Sequence, residues 1–148
     1  MTDPANRERP GVEHHVLRLR PGADLKRALL DYARERDLRA AWVVTAVGSL
    51  TDLHLRYADR DAGTRDSGHF EIVALSGTLA ADAAHLHLGV ADGRGRMTGG
   101  HLLDGNLVYT TAEIVVAEHR GLAFARELDP ASGYRELVVR ERAAPAGE

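Results

Sequence analysis

The stretch HLHLGVADGRGRMTGGHLLDGNLVYTTAEIVVAEH, residues 85–119, determines the fold that we predict. Apolar residues alternate with polar or small ones in its first seven positions, which is typical of a half-buried strand. Gly93-Arg94-Gly95 predicts a tight turn, and the density of Val and Thr in residues 106–119 favours a long strand. Because short turns join these segments, we expect their strands to pair in antiparallel fashion.

Further elements are predicted on both sides of this stretch. Asp24 is a suitable N-cap, and apolar residues recur at i, i+3, i+4 and i+7 from Leu25 to Tyr32, which predicts a helix that ends near Arg36. Gly48 and Ser49 mark a bend between two strands. Strands are predicted at residues 15–20, 40–50, 50–58, 69–80, 122–128 and 134–141.

These elements predict an α+β fold, in which one principal helix packs on a mostly antiparallel β-sheet of six to eight strands. A chain of 148 residues suits one compact domain with a single core. We place this domain at residues 13–142, with a flexible N-terminal arm at residues 1–12 and a flexible tail at residues 143–148, because both ends are polar or rich in small residues.

The composition excludes several classes of function. There are no cysteines, so disulfides, thiol nucleophiles and thiolate metal ligands are excluded, and any metal must be held by His, Asp or Glu. No apolar stretch approaches the roughly 18 residues that span a bilayer, and the N-terminus has no hydrophobic signal core. We therefore expect a cytoplasmic protein with no membrane partner.

The charge distribution argues against a phosphate-binding surface. The formal net charge is −3, and arginines alternate with acidic residues, as in RERD at residues 34–37. Proteins that bind DNA through its phosphates usually carry a basic stripe. The pattern is more typical of a solvated surface of mixed charge.

His85 and His87 are the first candidate ligands for a metal ion. Two residues apart on a strand, they point to the same face of the sheet. If the following hairpin is centred on Arg94, His101 lies directly opposite His87 and shares that face. A one-residue slip, or a bulge at Gly95 or in the Gly-Gly pair before His101, would turn His101 to the other face.

Three histidines would suit one divalent ion, with Zn²⁺ as the first candidate and Co²⁺, Ni²⁺ or Fe²⁺ as alternatives. Three protein ligands leave a coordination position for water or substrate. Glu71, Glu113 and Asp104 are the candidate fourth ligands or orienting groups. H-x-H pairs also occur on exposed strands without a metal. The cupin pattern does not match, because it needs a Glu soon after the second His and the sequence there is GVADG.

The residues from about Val16 to Ala117 resemble the "plants and prokaryotes conserved" (PPC) domain, also called domain of unknown function 296. The resemblance rests on LRLRPGADL, AVGSL, FEIVALSGTL, HLHLGVADGRGRMTGGHLLDG and LVYTTAEIVV, in the family's order and near its spacing. It implies a homotrimer of compact subunits. It also implies a metal site in some prokaryotic members, which agrees with the three histidines.

Three functional hypotheses follow. The first is a trimeric metal-binding module that serves assembly or regulation. The second is a metal-dependent lyase or hydrolase, in which metal-bound water is the nucleophile and Glu71 or Glu113 the general base. The third is DNA binding, as the resemblance to plant members with AT-hooks implies, although this chain lacks the R-G-R-P core of an AT-hook.

Overall fold

The computed structural model describes residues 11–142. The predicted arm, apart from its last two residues, and the predicted tail lie outside this range. Within it the elements are β1 (Val12–Leu19), α1 (Leu25–Glu35), β2 (Ala41–Arg56), β3 (Thr64–Leu79), β4 (Ala84–Ala91), β5 (Met97–Leu102), β6 (Leu107–His119), β7 (Leu122–Leu128) and β8 (Arg135–Glu141).

Six of these strands form one antiparallel sheet in the order β1-β6-β2-β3-β4-β5. The sheet also curls on itself, because Leu55 and Arg56 at the end of β2 pair with Leu102 and His101 of β5. Each of the strands β2 to β5 therefore pairs with the next, and β5 pairs with β2, so that the four strands close into a ring around buried leucines. The remaining two strands, β7 and β8, form a separate hairpin.

The strand β2 is one long bent strand, where two strands were predicted. Its pairing with β3 and β6 shifts register near Leu50 and Asp52, and such bulges increase the local bend and twist of a strand. The bend lets β2 pair with β6 from Ala41 to Asp52 while its end, at Leu55 and Arg56, reaches β5. Gly48 and Ser49 thus mark a bend, as predicted, but the strand does not end there.

The predicted α+β class is wrong. Strands account for 62% of the structure and helix for 8%, so the domain is β-dominated. The helix has the clearest periodicity in the sequence, but it contributes only Leu25, Leu29 and Ala33 to the buried set. Most of the core comes from the inner face of the curled sheet, including Leu50, Leu86 and Leu102 among many others.

The helix α1 is fixed at its N-terminus by Asp24. The Asp24 carboxylate accepts hydrogen bonds from the backbone N–H groups of Lys26 and Arg27, as predicted for an N-cap, and also from that of Gly105. The cap therefore ties the helix to the loop between β5 and β6. With 11 residues α1 is far shorter than the roughly 20 residues that cross a bilayer, and no helix within residues 11–142 could span a membrane.

Gly48 allows a close backbone approach between β2 and β6 in the centre of the sheet. Its φ is +146°, and a Cβ at this position would lie 2.1 Å from the carbonyl oxygen of Thr111 on β6. A backbone atom cannot move aside as a flexible side chain can. Residue 48 must therefore be glycine if β2 and β6 are to keep their spacing.

We expect Gly48→Ala to destabilise the domain by about 3 kcal/mol, because the new methyl group would force β2 and β6 apart and would also impose backbone strain. Gly93→Ala is the matched control, since a Cβ at position 93 meets nothing within 4 Å and no positive φ is needed. The measurement is the free energy of unfolding in urea. Equal stability of the two variants would contradict this explanation of Gly48.

Candidate metal centre

The β4–β5 hairpin sets the positions of the three histidines. Asp92 closes its turn, because the carboxylate accepts hydrogen bonds from the backbone N–H groups of Arg94 and Arg96 at 2.8 and 2.9 Å. These bonds hold the pKa of Asp92 below its usual range. The pairing from Ala91 and Met97 to His87 and His101 runs without a register shift. The register is therefore that of a hairpin centred on Arg94, and the alternative of a slip or bulge between these strands is not realised.

The glycines of this region permit close packing without a bulge. A Cβ at Gly99 would lie 2.7 Å from the carbonyl oxygen of Leu88, and one at Gly100 equally close to that of Arg56. On the other side, a Cβ at Gly77 of β3 would lie 2.0 Å from the carbonyl oxygen of His85. Small residues therefore let the backbone of β4 and β5 lie close to β3 and β2.

The structure brings His85, His87 and His101 together on one face of the sheet. One ring nitrogen from each lies within 4.8 Å of the other two, and the Nε2 atoms of His85 and His87 are 3.3 Å apart. In a tetrahedral site with Zn–N bonds of about 2.0–2.1 Å, ligand nitrogens are about 3.3 Å apart. The distance between His85 Nε2 and His87 Nε2 already equals this spacing.

The electrostatic surroundings of His85 and His101 favour the neutral form of both imidazoles. Burial lowers the pKa of His101 to about 4, with a further contribution from the Arg56 guanidinium. Burial likewise lowers the pKa of His85, and Arg126 adds to this effect. Neutral imidazole is the form that binds metal. Moreover, Nδ1 of His101 is buried without a hydrogen-bond partner among residues 11–142, so this half-buried ring has unused bonding capacity.

An open groove lies over the three histidines. Two adjoining cavities, of about 340 and 600 Å³, share His85, Arg126 and Glu136 in their linings. The first also contacts His87, and the second contacts His101. The β7–β8 hairpin supplies one wall, and the polar face of β3 and β4 supplies the floor. A ligand bound to a metal at the triad would therefore enter this groove.

The groove includes polar residues that sequence reasoning missed. Arg56 is paired with His101 across β2 and β5. Arg126 donates a hydrogen bond to Thr78 Oγ1 at 2.9 Å. The negative charge of Glu136 raises the pKa of His85, although the lowering of that pKa by burial is larger. The charged residues themselves gave no signal in the sequence. Finding them required the β2–β5 contact and the placement of the β7–β8 hairpin.

The carboxylates that were predicted to assist the triad lie elsewhere. Glu71 is opposite Ala91 on β4, which is four residues, or about 13 Å, along the strand from His87. Glu113 lies on β6 opposite Arg18 and Val47. Asp104 forms ion pairs with Arg27 and Lys26, and the hydrogen bond from Arg27, followed by the charge of Lys26, holds the pKa of Asp104 below its usual range. None of the three lines the groove, whereas Glu136 does.

A second group of candidate ligands, which sequence reasoning did not single out, lies on β1 and β6. Glu13, His15 and Glu118 each bring one ligand atom within 4.8 Å of the others. Here Arg120 already supplies a positive charge, with Nη1 3.2 Å from Glu13 and 3.5 Å from Glu118. The fully buried Glu118 also accepts a hydrogen bond from the Arg39 backbone. Arg120 therefore already pairs with both carboxylates of this group, whereas Nε2 of His15 is buried without a hydrogen-bond partner among residues 11–142.

The comparison with protein families agrees with the motifs noted in the sequence. Residues 6–120, most of the chain, match the Plants and Prokaryotes Conserved (PCC) domain. The chain belongs to this family. The bifunctional protein GlmU of Synechococcus sp. (strain JA-3-3Ab) is 51% identical over 132 residues, which cover 89% of this chain and 21% of the relative. The chain thus spans about a fifth of the length of the curated relatives it matches.

Solved structures share this PCC-domain fold. A hypothetical protein from Salmonella cholerae-suis is 42% identical, with a TM-score of 0.89 over 90% of this chain and 97% of that one. A protein of Archaeoglobus fulgidus described as metal-containing is 26% identical, with a TM-score of 0.73 over 85% and 93% of the two chains. A protein of Bacteroides thetaiotaomicron, provisionally described as DNA-binding, is 19% identical over 84% and 91%, with a TM-score of 0.74. This last likeness concerns the fold alone.

The pKa of His101 predicts how the stability of the metal-free protein depends on pH. The ordinary pKa is 6.5 and the folded value is about 4, so the unfolded chain binds the proton more tightly. The contribution of His101 is therefore complete above about pH 6.5 and is lost as the pH falls towards 4. His85 acts in the same direction.

We expect the melting temperature of the wild type, measured with a chelator present, to fall more steeply between pH 6.5 and pH 4 than that of His101→Gln, which cannot titrate. His14→Gln, an exposed histidine on β1, is the control and should keep the steep dependence. Parallel curves for the wild type and His101→Gln would contradict a depressed pKa at His101.

Proposed function

We propose that this PCC domain binds one divalent metal ion through His85, His87 and His101. The observation that carries the proposal is the convergence of three imidazole nitrogens within 4.8 Å on one sheet face. Support also comes from the low pKa of His101 and from its buried Nδ1, which has no hydrogen-bond partner among residues 11–142. The likeness to a metal-containing protein of Archaeoglobus fulgidus adds further support.

Zn²⁺ is the ion that we propose first. It readily accepts nitrogen ligands and a tetrahedral arrangement, and no thiolate is available in this chain to favour a softer metal. Three protein ligands would leave one position directed into the groove. Closed structural zinc sites have four protein ligands, so this arrangement favours an ion that binds a ligand or reactant.

Elemental analysis tests this proposal on protein purified without chelators or affinity-resin metal. We expect about one zinc, or a similar ion, per chain in the wild type and less than a tenth of that in His85→Ala and His101→Ala. His14→Ala is the matched control and should retain the metal. A wild type that holds no metal, and takes none up when Zn²⁺ is added, would refute the proposal.

A metal-dependent lyase or hydrolase is the second candidate function. The observation that favours it is the groove, because a flat and fully solvated site could not hold a substrate against the ion. The ion would supply a water of lowered pKa as nucleophile. Glu136 lines both cavities beside His85 and is the carboxylate placed to accept a proton, in preference to Glu71 or Glu113.

DNA is a weaker candidate partner. The provisional description of the Bacteroides thetaiotaomicron protein supports it, but that likeness concerns the fold alone. The net charge of −3 opposes a stripe of phosphate contacts. A gel shift at low salt and micromolar protein would establish DNA binding, and its absence there would remove this candidate.

We further propose that the domain functions as a homotrimer. Val16, Val44, Val47 and Val73 lie on β1, β2 and β3 with 46–76% of their surface exposed. These side chains are on strands and outside the core, and exposed apolar groups of this kind are typical of an interface between subunits. The resemblance to the PPC family supports the same number of subunits.

Light scattering during size-exclusion chromatography tests the trimer. We expect a mass about three times the 16.0 kDa of one chain, and a lower mass for Val47→Glu, because a charge would be buried without a partner. Arg94→Glu, in the exposed β4–β5 turn, is the control. A monomeric wild type at micromolar concentration would refute this part of the proposal.

A further inference from the structure

The groove over the triad is lined by more positive than negative charge. Arg56, Arg126 and Arg135 contribute guanidinium groups to it, while Glu136 is the one carboxylate among its lining residues in the described part of the chain. A divalent ion on three neutral imidazoles would add to this excess. Excess positive charge around an open metal position attracts an anionic ligand.

We propose that the groove binds a small organic anion, whose carboxylate or phosphate oxygen occupies the open metal position while Arg56 and Arg126 bind the same anionic group. This inference rests on the proposed metal site and adds the chemical class of its ligand. Guanidinium groups bind carboxylate and phosphate through paired, charge-assisted hydrogen bonds.

Arg56 is held beside the triad by strand pairing. It lies directly opposite His101 across β2 and β5, so the two side chains share the polar face of the sheet. The one hydrogen bond that its guanidinium makes among residues 11–142 is a long contact of 3.5 Å from Nη1 to the carbonyl oxygen of Arg60. No carboxylate in that range lies within 4.0 Å of this guanidinium, which leaves its other donors available to a ligand.

Arg126 reaches the triad from the β7–β8 hairpin. Its Nη2 donates to Thr78 Oγ1 at 2.9 Å, and Thr78 is directly opposite His85 across β3 and β4. This single bond fixes the guanidinium next to His85 and leaves its other nitrogens without a carboxylate partner in the described chain. Arg56 and Arg126 both line the larger cavity, together with His85 and His101.

The dimensions of the groove favour a small molecule. The larger cavity, of about 600 Å³, is within the range of about 300–1,000 Å³ that is typical of small-ligand sites. Tyr134 lies at its edge with 74% of its surface exposed and offers a contact for the less polar part of such a ligand. The charged end would then lie at the metal and the remainder towards the β8 side.

Cobalt substitution provides the test, because the visible spectrum of bound Co²⁺ changes when a ligand enters its coordination shell. The Co²⁺-loaded protein is titrated separately with inorganic phosphate and with succinate, at constant ionic strength set by a chloride salt. The variants are Arg56→Gln and Arg126→Gln, with Arg94→Gln, in the exposed turn, as the control. Cobalt content is measured for each protein before titration.

We expect a saturable spectral change with phosphate or with succinate, and the effective anion identifies the class of ligand. Loss of one charge-assisted partner should weaken this binding about tenfold or more in Arg56→Gln and in Arg126→Gln, with cobalt content unchanged. The Arg94→Gln variant should bind as the wild type does.

The possible failures are distinguishable. Bound cobalt with no response to either anion, or with equal affinity in all variants, would overturn the anion site and leave the metal site standing. A wild type that takes up no cobalt and no zinc would overturn both.

Discussion

The antiparallel register of β4 and β5 is the constraint on which the candidate site depends. Asp92 fixes it by accepting the backbone hydrogen bonds of the turn, and the strands then pair without a bulge as far as His87 and His101. A slip of one residue would turn His101 into the apolar core and bring Leu102 to the polar face. Leu86, Leu88 and Leu102 are almost fully buried, so the core itself opposes such a slip.

The closure of β2 onto β5 adds the rest of the site. It places Arg56 opposite His101 and makes His101 part of a curved, half-buried surface, where burial lowers its pKa. The bend that allows this closure depends on register shifts in β2 and on the absence of a side chain at Gly48. The bend in β2 therefore both closes the core and, through the burial of His101, lowers the pKa of that histidine.

Much of the local structure was predictable, because it follows from local patterns. The N-cap at Asp24, the alternation in β4 and the turn around Arg94 are each set by a few neighbouring residues. The turn left the hairpin register open between two faces for His101, and the strand pairing selects the face of His87. The fold class and the surroundings of the triad were not predictable, because they depend on long-range contacts. The strong periodicity of α1 led to the prediction of a principal helix, although helix accounts for a small part of the fold. No local pattern in the sequence indicated that Arg126 or Glu136 would lie beside His85.

The most direct test of a three-histidine metal centre is anomalous X-ray diffraction at the zinc absorption edge, from crystals of the zinc-loaded protein. We expect one anomalous peak per chain, about 2.0–2.1 Å from a ring nitrogen of each of His85, His87 and His101. Its remaining coordination position should be directed into the groove that contains Arg56 and Arg126. A peak at another group, such as Glu13, His15 and Glu118, or no peak at the triad, would show that the three histidines are not the metal centre.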